Sequence, residues 1–270
     1  MMFIYKIRAI RTIFWFMLRQ IFSNGASWLL YTVLLPAITF SALNSAEAPA
    51  LRLRAEVIAL PIIGCALFFI PALMAQMRNQ NIFGLFAAAP VSRVFVSGTF
   101  FSAVLLSALP GLLLLRALSM QILPAETAPG MLWSAGAALL LFCALAAIGS
   151  IIGIIAPSTS EAIGVSLAIT APFCVILTSG LFTQVPSGIA GWALRATPVS
   201  AAGNMLFLSN TAAKHIPELL FDIVAMLLIA AGAFGLFDAA IPWRVEMKPD
   251  RAKQAARLLT AKSAPRAKNG

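Results

Sequence analysis

Charged residues are scarce in this chain: only 10% of its 270 residues are Asp, Glu, Lys or Arg, whereas 61% are hydrophobic. A soluble domain has about 25% charged residues, and polar positions interrupt its apolar ones at helix or strand period. Here apolar runs of about 20 residues recur, the length that an α-helix needs to cross a bilayer. Because no water satisfies backbone groups there, such runs form helices. The composition excludes a soluble domain and predicts an all-α, polytopic membrane protein.

Residues suited to catalysis or metal binding are equally few. The single histidine is His215. The three cysteines lie inside apolar runs without the spacing of metal ligands, and we interpret Cys65, Cys143 and Cys174 as small packing residues. None of the six lysines follows a glycine, so the chain has no P-loop for nucleotide phosphates. We therefore expect no catalytic residue, metal or cofactor on this chain, and any ATP and Mg²⁺ would be bound by a partner.

Six apolar runs predict six transmembrane helices, at residues 25–45, 57–76, 95–115, 131–156, 162–184 and 217–241. Residues 1–243 would form one transmembrane domain, followed by a basic cytoplasmic tail at 244–270. Small residues in the fourth and fifth runs predict close helix packing there, at Ala135, Gly136, Ala144, Gly149, Gly153 and Gly164.

Residues 3–22 precede the first run and have a different pattern. Apolar side chains recur every three or four positions between Ile7 and Ile21, and basic side chains occupy other positions. This pattern predicts an amphipathic helix lying in the membrane interface, whose polar and interfacial residues are Lys6, Arg8, Arg11, Trp15 and Arg19. The alternative is a simple basic flank to the first span.

Lysine and arginine are distributed unevenly between the two sides of this topology. Fourteen lie in the N-terminal segment, the 77–94 loop and the tail, whereas five lie in the other connections. The positive-inside bias then places both termini and the 77–94 loop in the cytoplasm. Because the net charge of +10 follows this topology, we expect a lipid bilayer and no nucleic acid as a partner.

Acidic residues inside the spans are the usual sign of ion coupling. Glu218 and Asp222 lie four residues apart, on one face of the last span near its predicted outer end, and Asp238 lies near its inner end. The middle of that span has no charge, which disfavours ion-driven transport. We expect Glu218 and Asp222 to line an outer vestibule or to pair with Arg195 or Lys214.

Three stretches together resemble the permease subunits of type-2 ABC exporters. They are the helix 3–22 before a span with Pro36, the Pro90-Val91-Ser92-Arg93 end of the 77–93 loop, and residues 189–198 with Trp192 and Pro198. The resemblance implies two permease chains, identical or related, bound to two ATPase subunits in the bacterial inner membrane. It also implies short outer re-entrant helices between the last two spans. A membrane anchor or assembly subunit that recruits an ATPase is the alternative, and a secondary carrier is less favoured.

The resemblance also implies candidate site residues. Those that would couple the permease to the ATPase are Arg78, Ile82, Phe83, Leu85, Phe86, Pro90, Ser92 and Arg93. Those of an outer gate or vestibule are Trp192, Arg195, Pro198, Glu218 and Asp222. The family often has acidic residues at the start of the coupling segment, where this chain has Asn79-Gln80-Asn81. Docking would then depend on apolar packing, and burial of those side chains in the lipid interface is the alternative.

Overall fold

Helices make up nearly all of the structure, a computed structural model that describes residues 2–44, 50–87, 92–122, 128–181, 188–208 and 216–241. We number the helices α1 (Met2–Ser23), α2 (25–44), α3 (50–79), α4 (Ile82–Ala87), α5 (Arg93–Ile122), α6 (Ala128–Ile155), α7 (Thr159–Ser179), α8 (Gly188–Arg195), α9 (Pro198–Leu208) and α10 (Ile216–Ala240). Two of them contain a five-residue π turn, at Leu30–Leu34 in α2 and at Cys65–Phe69 in α3.

The spans agree with the prediction of a polytopic all-α membrane protein. Within the described part of the chain, five helices are long and apolar enough to cross a bilayer: α3, α5, α6, α7 and α10. A sixth crossing is obtained when α1 and α2, which are bent by 81° relative to each other, are taken as one broken span. The bend separates the basic helix from the apolar one, as expected of an interfacial helix leading into a span.

Asn24 forms the break between α1 and α2. Its backbone N–H donates to the carbonyl oxygen of Ile21, and its side-chain amide donates to that of Gln20 at 3.3 Å. The hydroxyl of Ser23 donates to the same Gln20 oxygen at 2.8 Å. Carbonyl groups at the end of α1 thus find local partners, which allows the helix to stop at this point.

The fifth predicted run, residues 162–184, is displaced toward the N-terminus in the structure. Helix α7 begins earlier because the Ser158 hydroxyl accepts a hydrogen bond of 3.2 Å from the Glu161 N–H, an N-cap. It ends at Ser179 because Gly180 takes a left-handed conformation, with φ 70°. The last residues of the predicted run, 182–184, lie outside the described ranges.

Helix α3 is the most enclosed of the described spans. In an apolar 18-residue stretch of each span, 83% is buried in α3, compared with 22% in α7 and 22% in α10. Its neighbour α6 also packs against α9 and α10. Gly149 and Gly153 of α6 allow the close approach to α3, because a Cβ atom at either would overlap a backbone carbonyl oxygen, that of Ala66 or of Pro71. The predicted packing role is confirmed at these two glycines, whereas Gly136 and Gly164 face open space.

Helices α8 and α9 form the short helical pair expected between the last two spans. Helix α9 has 11 residues, too few to cross a bilayer. It is buried along its length, with Val199, Ala202 and Leu206 fully enclosed, and it packs against α3, α6 and α10. An apolar helix that enters the bundle without crossing it is a re-entrant element.

Candidate functional site

A buried polar network joins α8, α9 and α10. Arg195, the last residue of α8, donates from Nε to Oδ1 of Asp222 at 3.2 Å and from Nη2 to Oε2 of Glu218 at 3.1 Å. Its Nη2 also lies 3.3 Å from Oδ2 of Asp222. The side-chain amide of Asn204, in α9, donates to the same Oδ2 atom at 2.5 Å. One carboxylate therefore holds the two short helices against the last span.

Burial makes this network costly to break. Asp222 is fully enclosed and Arg195 is 5% exposed. A buried charge without its partner is strongly destabilising, by about 3–5 kcal/mol. Burial on its own lowers the pKa of Arg195, but the hydrogen bonds and charges of Asp222 and Glu218 outweigh burial and hold that pKa above its ordinary value. Arg195 is thus a fixed cation.

The predicted pairing of Glu218 and Asp222 with Arg195 is confirmed, whereas Lys214 lies outside the described residues. Trp192 packs edge-on against Phe221 with ring centroids 4.9 Å apart, and Pro198 is buried at the first position of α9. Asn204 was not among the site residues predicted from sequence. A single amide in an otherwise apolar stretch was the available signal, because such a side chain needs a polar partner when buried.

At the opposite end of the bundle, Arg78 connects α3 to the C-terminus of α6. Its Nη1 donates to the carbonyl oxygen of Ile154 at 2.7 Å, and its Nη2 donates to that of Pro157 at 2.7 Å. Carbonyl groups at a helix C-terminus lack intrahelical partners and carry partial negative charge. The guanidinium supplies both the hydrogen-bond donors and a positive charge. The Arg78 side chain therefore binds within its own chain.

Helix α4 is turned back on the bundle by Asn81. This residue has a left-handed backbone, with φ 57°, and its N–H donates to the Arg78 carbonyl oxygen at 2.9 Å. Asparagine tolerates this conformation better than most residues. The side chains that follow, Ile82, Phe83 and Phe86, expose only 4%, 2% and 7% of their surfaces. In this conformation they pack within the chain rather than facing a partner or lipid.

Helix α1 is attached to the same region by two contacts. The side-chain amide of Gln20 donates to Oε1 of Gln80 at 3.1 Å. The rings of Phe16 and Phe86 meet edge-on, with centroids 5.8 Å apart. Arg78, α4 and α1 therefore form one connected assembly, which we call the α1–α4 platform (residues 2–23 and 78–87).

The remaining predicted site residues are placed only in part. Arg8, Arg11, Trp15 and Arg19 are exposed on α1, as an interfacial helix requires. Ser92 is also exposed. Pro90 lies outside the described ranges. For three residues, the side chains are not among those described: Lys6, Leu85 and Arg93.

Hydrogen bonds and packing at both sites hold side chains and helices in fixed positions. In residues 2–241, apart from the undescribed gaps, no cluster of three His, Cys, Asp or Glu side chains is arranged to hold a metal. The network at Arg195 fixes charges, and the α1–α4 platform fixes helices. No family model, no curated protein and no solved structure matches this chain.

Proposed function

We propose that this chain is the membrane-spanning permease subunit of an ATP-driven exporter of the type-2 ABC class. In this proposal it lies in a bacterial inner membrane with both termini in the cytoplasm. The observation that carries the proposal is the α1–α4 platform. Helix α4 lies outside the spans, packs on α1, and is connected to α3 and α6. In this position it could transmit movement of a bound ATPase to the spans.

The contacts of the platform define the proposed path of coupling. Movement of the turn at Asn79 and Gln80 would be transmitted to α1 through the hydrogen bond with Gln20. It would be transmitted to α6 through the hydrogen bond from Arg78 to Ile154. Helix α6 packs against α9 and α10, which share the network of Asp222. A rigid-body shift of α6 would thus act on the re-entrant pair at the opposite end of the bundle, where we place the outer gate.

The proposed ATPase contact is more polar than the sequence suggested. Because Ile82, Phe83 and Phe86 point inward, the exposed side chains of the turn are Asn79 and Gln80. Two ATPase subunits would bind here by hydrogen bonds, with ATP and Mg²⁺ held on those subunits. In this arrangement the buried aromatic residues support the docking surface from behind instead of entering the partner.

The translocation pathway is proposed to lie between two permease chains, identical or related. The cavity enclosed by α2, α3, α5 and α6, near Tyr31 and Phe142, has a volume of about 20 Å³. This is room for about one water molecule and not for a solute. Helices α7 and α10 leave most of their apolar surface uncovered, which offers faces for a second chain as well as for lipid.

Cross-linking from the platform tests the proposal. Full-length Asn79→Cys and Gln80→Cys variants are cross-linked in cells, purified, and analysed by mass spectrometry for a bound protein with a P-loop. We expect both to capture such an ATPase, and the control Ser179→Cys, exposed at the opposite end, to capture none.

The alternatives predict different results in the same preparation. Reconstituted in vesicles, an exporter couples ATP hydrolysis to substrate movement, whereas a membrane anchor or assembly subunit binds the ATPase without transport. A secondary carrier binds no ATPase, so the absence of any P-loop protein would contradict the exporter and favour that class.

A further inference from the structure

An open groove runs between α1 and the beginning of α5. Its walls are apolar and belong to both helices: Ile7, Ile10 and Phe14 on one side, Val94 and Phe95 on the other. We call it the α1–α5 groove. Its volume is about 520 Å³, within the range of about 300–1,000 Å³ for small-molecule sites. Ile7, Val94 and Phe95 are 49%, 60% and 57% exposed, so the groove opens to its surroundings.

Arg11 supplies a positive charge in this otherwise apolar groove. Its side chain is exposed, and within the described residues its guanidinium has no hydrogen-bond or ion-pair partner. Residues 1–46 contain no acidic residue, whereas they contain Lys6, Arg8, Arg11 and Arg19. The charge near the groove is thus uncompensated within this segment and complements an anion.

The floor of the groove is shaped by Gly98. A Cβ atom added there would meet no atom within 4 Å, so the space beside Gly98 is free. The two hydroxyls in the groove already donate to their own helix, that of Thr99 to the Phe95 carbonyl oxygen and that of Ser102 to the Gly98 carbonyl oxygen. Among the described side chains that line the groove, Arg11 is therefore the one donor not already engaged within its own helix.

We propose that the α1–α5 groove binds an anionic glycerophospholipid, with an acyl chain along the apolar walls and the phosphate on Arg11. The amphipathic pattern of residues 3–22 predicts that α1 lies in the membrane interface, and the 81° bend between α1 and α2 is compatible with that position. An interfacial α1 would bring the groove to the depth where headgroups and acyl chains meet. This site does not depend on the exporter assignment, because it requires only that α1 lie in the membrane interface.

Native mass spectrometry of lipids retained by the full-length protein tests the site. The protein is exchanged into nanodiscs of phosphatidylcholine and phosphatidylglycerol in equal parts, released, and measured. We expect preferential retention of phosphatidylglycerol. Because a basic residue near a membrane surface contributes about 1 kcal/mol to anionic lipid binding, Arg11→Gln should reduce that retention about fivefold and Arg11→Lys should restore it. Arg19→Gln, exposed on the same helix outside the groove, is the charge control.

A second pair of variants separates the acyl chain from the charge. Gly98→Leu, whose Cβ atom would meet nothing within 4 Å, should occupy the groove and reduce retention of both lipids, whereas Gly164→Leu, at another glycine with open space, should not. Equal retention of both lipids by the parent protein and all variants would overturn the proposal. So would full displacement by glycerol phosphate, which would indicate a free-anion site. Cross-linking of Phe95→Cys to the 244–270 tail or to a second copy, in place of lipid, would identify another occupant and also overturn it.

Discussion

The Nη1 atom of Arg78 lies 2.7 Å from the carbonyl oxygen of Ile154, although 76 residues separate them in the chain. The contact joins the end of α3 to the end of α6, next to Gly153, one of the two glycines at which these helices approach each other closely. A cation that caps a neighbouring helix fixes both the height and the rotation of that helix. The resemblance implies Arg78 as a contact for the ATPase. In the structure its side chain instead links the ends of α3 and α6.

Replacing Arg78 should destabilise the protein more than replacing any exposed arginine of α1. Arg78→Ala removes the hydrogen bonds from the guanidinium to the Ile154 and Pro157 carbonyl oxygens, and the one to the Asn79 side chain. Because two carbonyl groups at a helix end then lose a charged donor, we expect a loss of about 2 kcal/mol in the free energy of unfolding. Arg19→Ala is the control, with an expected change within about 0.5 kcal/mol. Equal effects in denaturant titrations of the detergent-solubilised protein would contradict the capping role.

The Arg195–Asp222 pair should behave as a coupled unit. Arg195→Met alone leaves a buried carboxylate and Asp222→Leu alone leaves a buried guanidinium, and each should cost about 3–5 kcal/mol. The double variant removes both charges and should cost less than the sum of the two. A double-mutant cycle on unfolding free energies measures this coupling. Glu218→Gln, at a half-exposed partner, should change stability by less than about 1 kcal/mol. Strict additivity of the two single changes would refute the pairing.

Adding one methyl group should distinguish two glycines of α6. Gly149→Ala places a Cβ atom against the Ala66 carbonyl oxygen, which forces α3 and α6 apart and should cost about 1–3 kcal/mol. Gly136→Ala meets nothing within 4 Å and replaces a poor helix former, so it should be neutral or stabilising by up to about 1 kcal/mol. Thermal melting of both variants tests the difference, and similar melting temperatures would argue against the close approach.

Accessibility labelling tests the predicted topology. Ile189 on α8 is 90% exposed, so Ile189→Cys should react with a membrane-impermeant maleimide in intact cells. Gln80→Cys, exposed at the opposite end of the bundle, should react only after permeabilisation. Arg195 itself is unsuitable for labelling because its side chain is buried. The reverse pattern would invert the orientation that the positive charges predict.

The spans, and the pairing of Asp222 with a basic residue as one of its alternatives, were predictable from sequence for a common reason. A stretch of about twenty apolar residues is stable in a bilayer as a membrane-spanning helix. A buried charge is stable only when it is paired with an opposite charge. The span at residues 217–241 follows from the first rule. The second rule left a vestibule, Arg195 and Lys214 open as alternatives for Asp222, and the structure shows the pair with Arg195. The end of α7 also has a local cause, the left-handed backbone of Gly180. The predicted run 162–184 extended past this residue because its apolar composition continues.

The orientation of α4 was not predictable in the same way. A six-residue helix that is apolar on every side carries no periodic signal, so its inward face is selected by tertiary contacts: the left-handed turn at Asn81 and the packing of Phe86 on Phe16. The hydrogen bond from Asn204 to Asp222 likewise joins two elements whose relative position no local pattern specifies.

The π turn at Cys65–Phe69 has a consequence for the phase of α3. A π turn holds one residue more than an α-helical turn, and each residue rotates the helix by about 100°. Side chains after Phe69 therefore follow a different angular register from those before Cys65, and no single helical wheel describes both halves. Deleting one residue within 65–69 would bring the halves into a common register and rotate Met74 away from Gly153, which its Cβ atom now faces. The extra residue is the element that lets one helix present two differently aligned surfaces to the same neighbour.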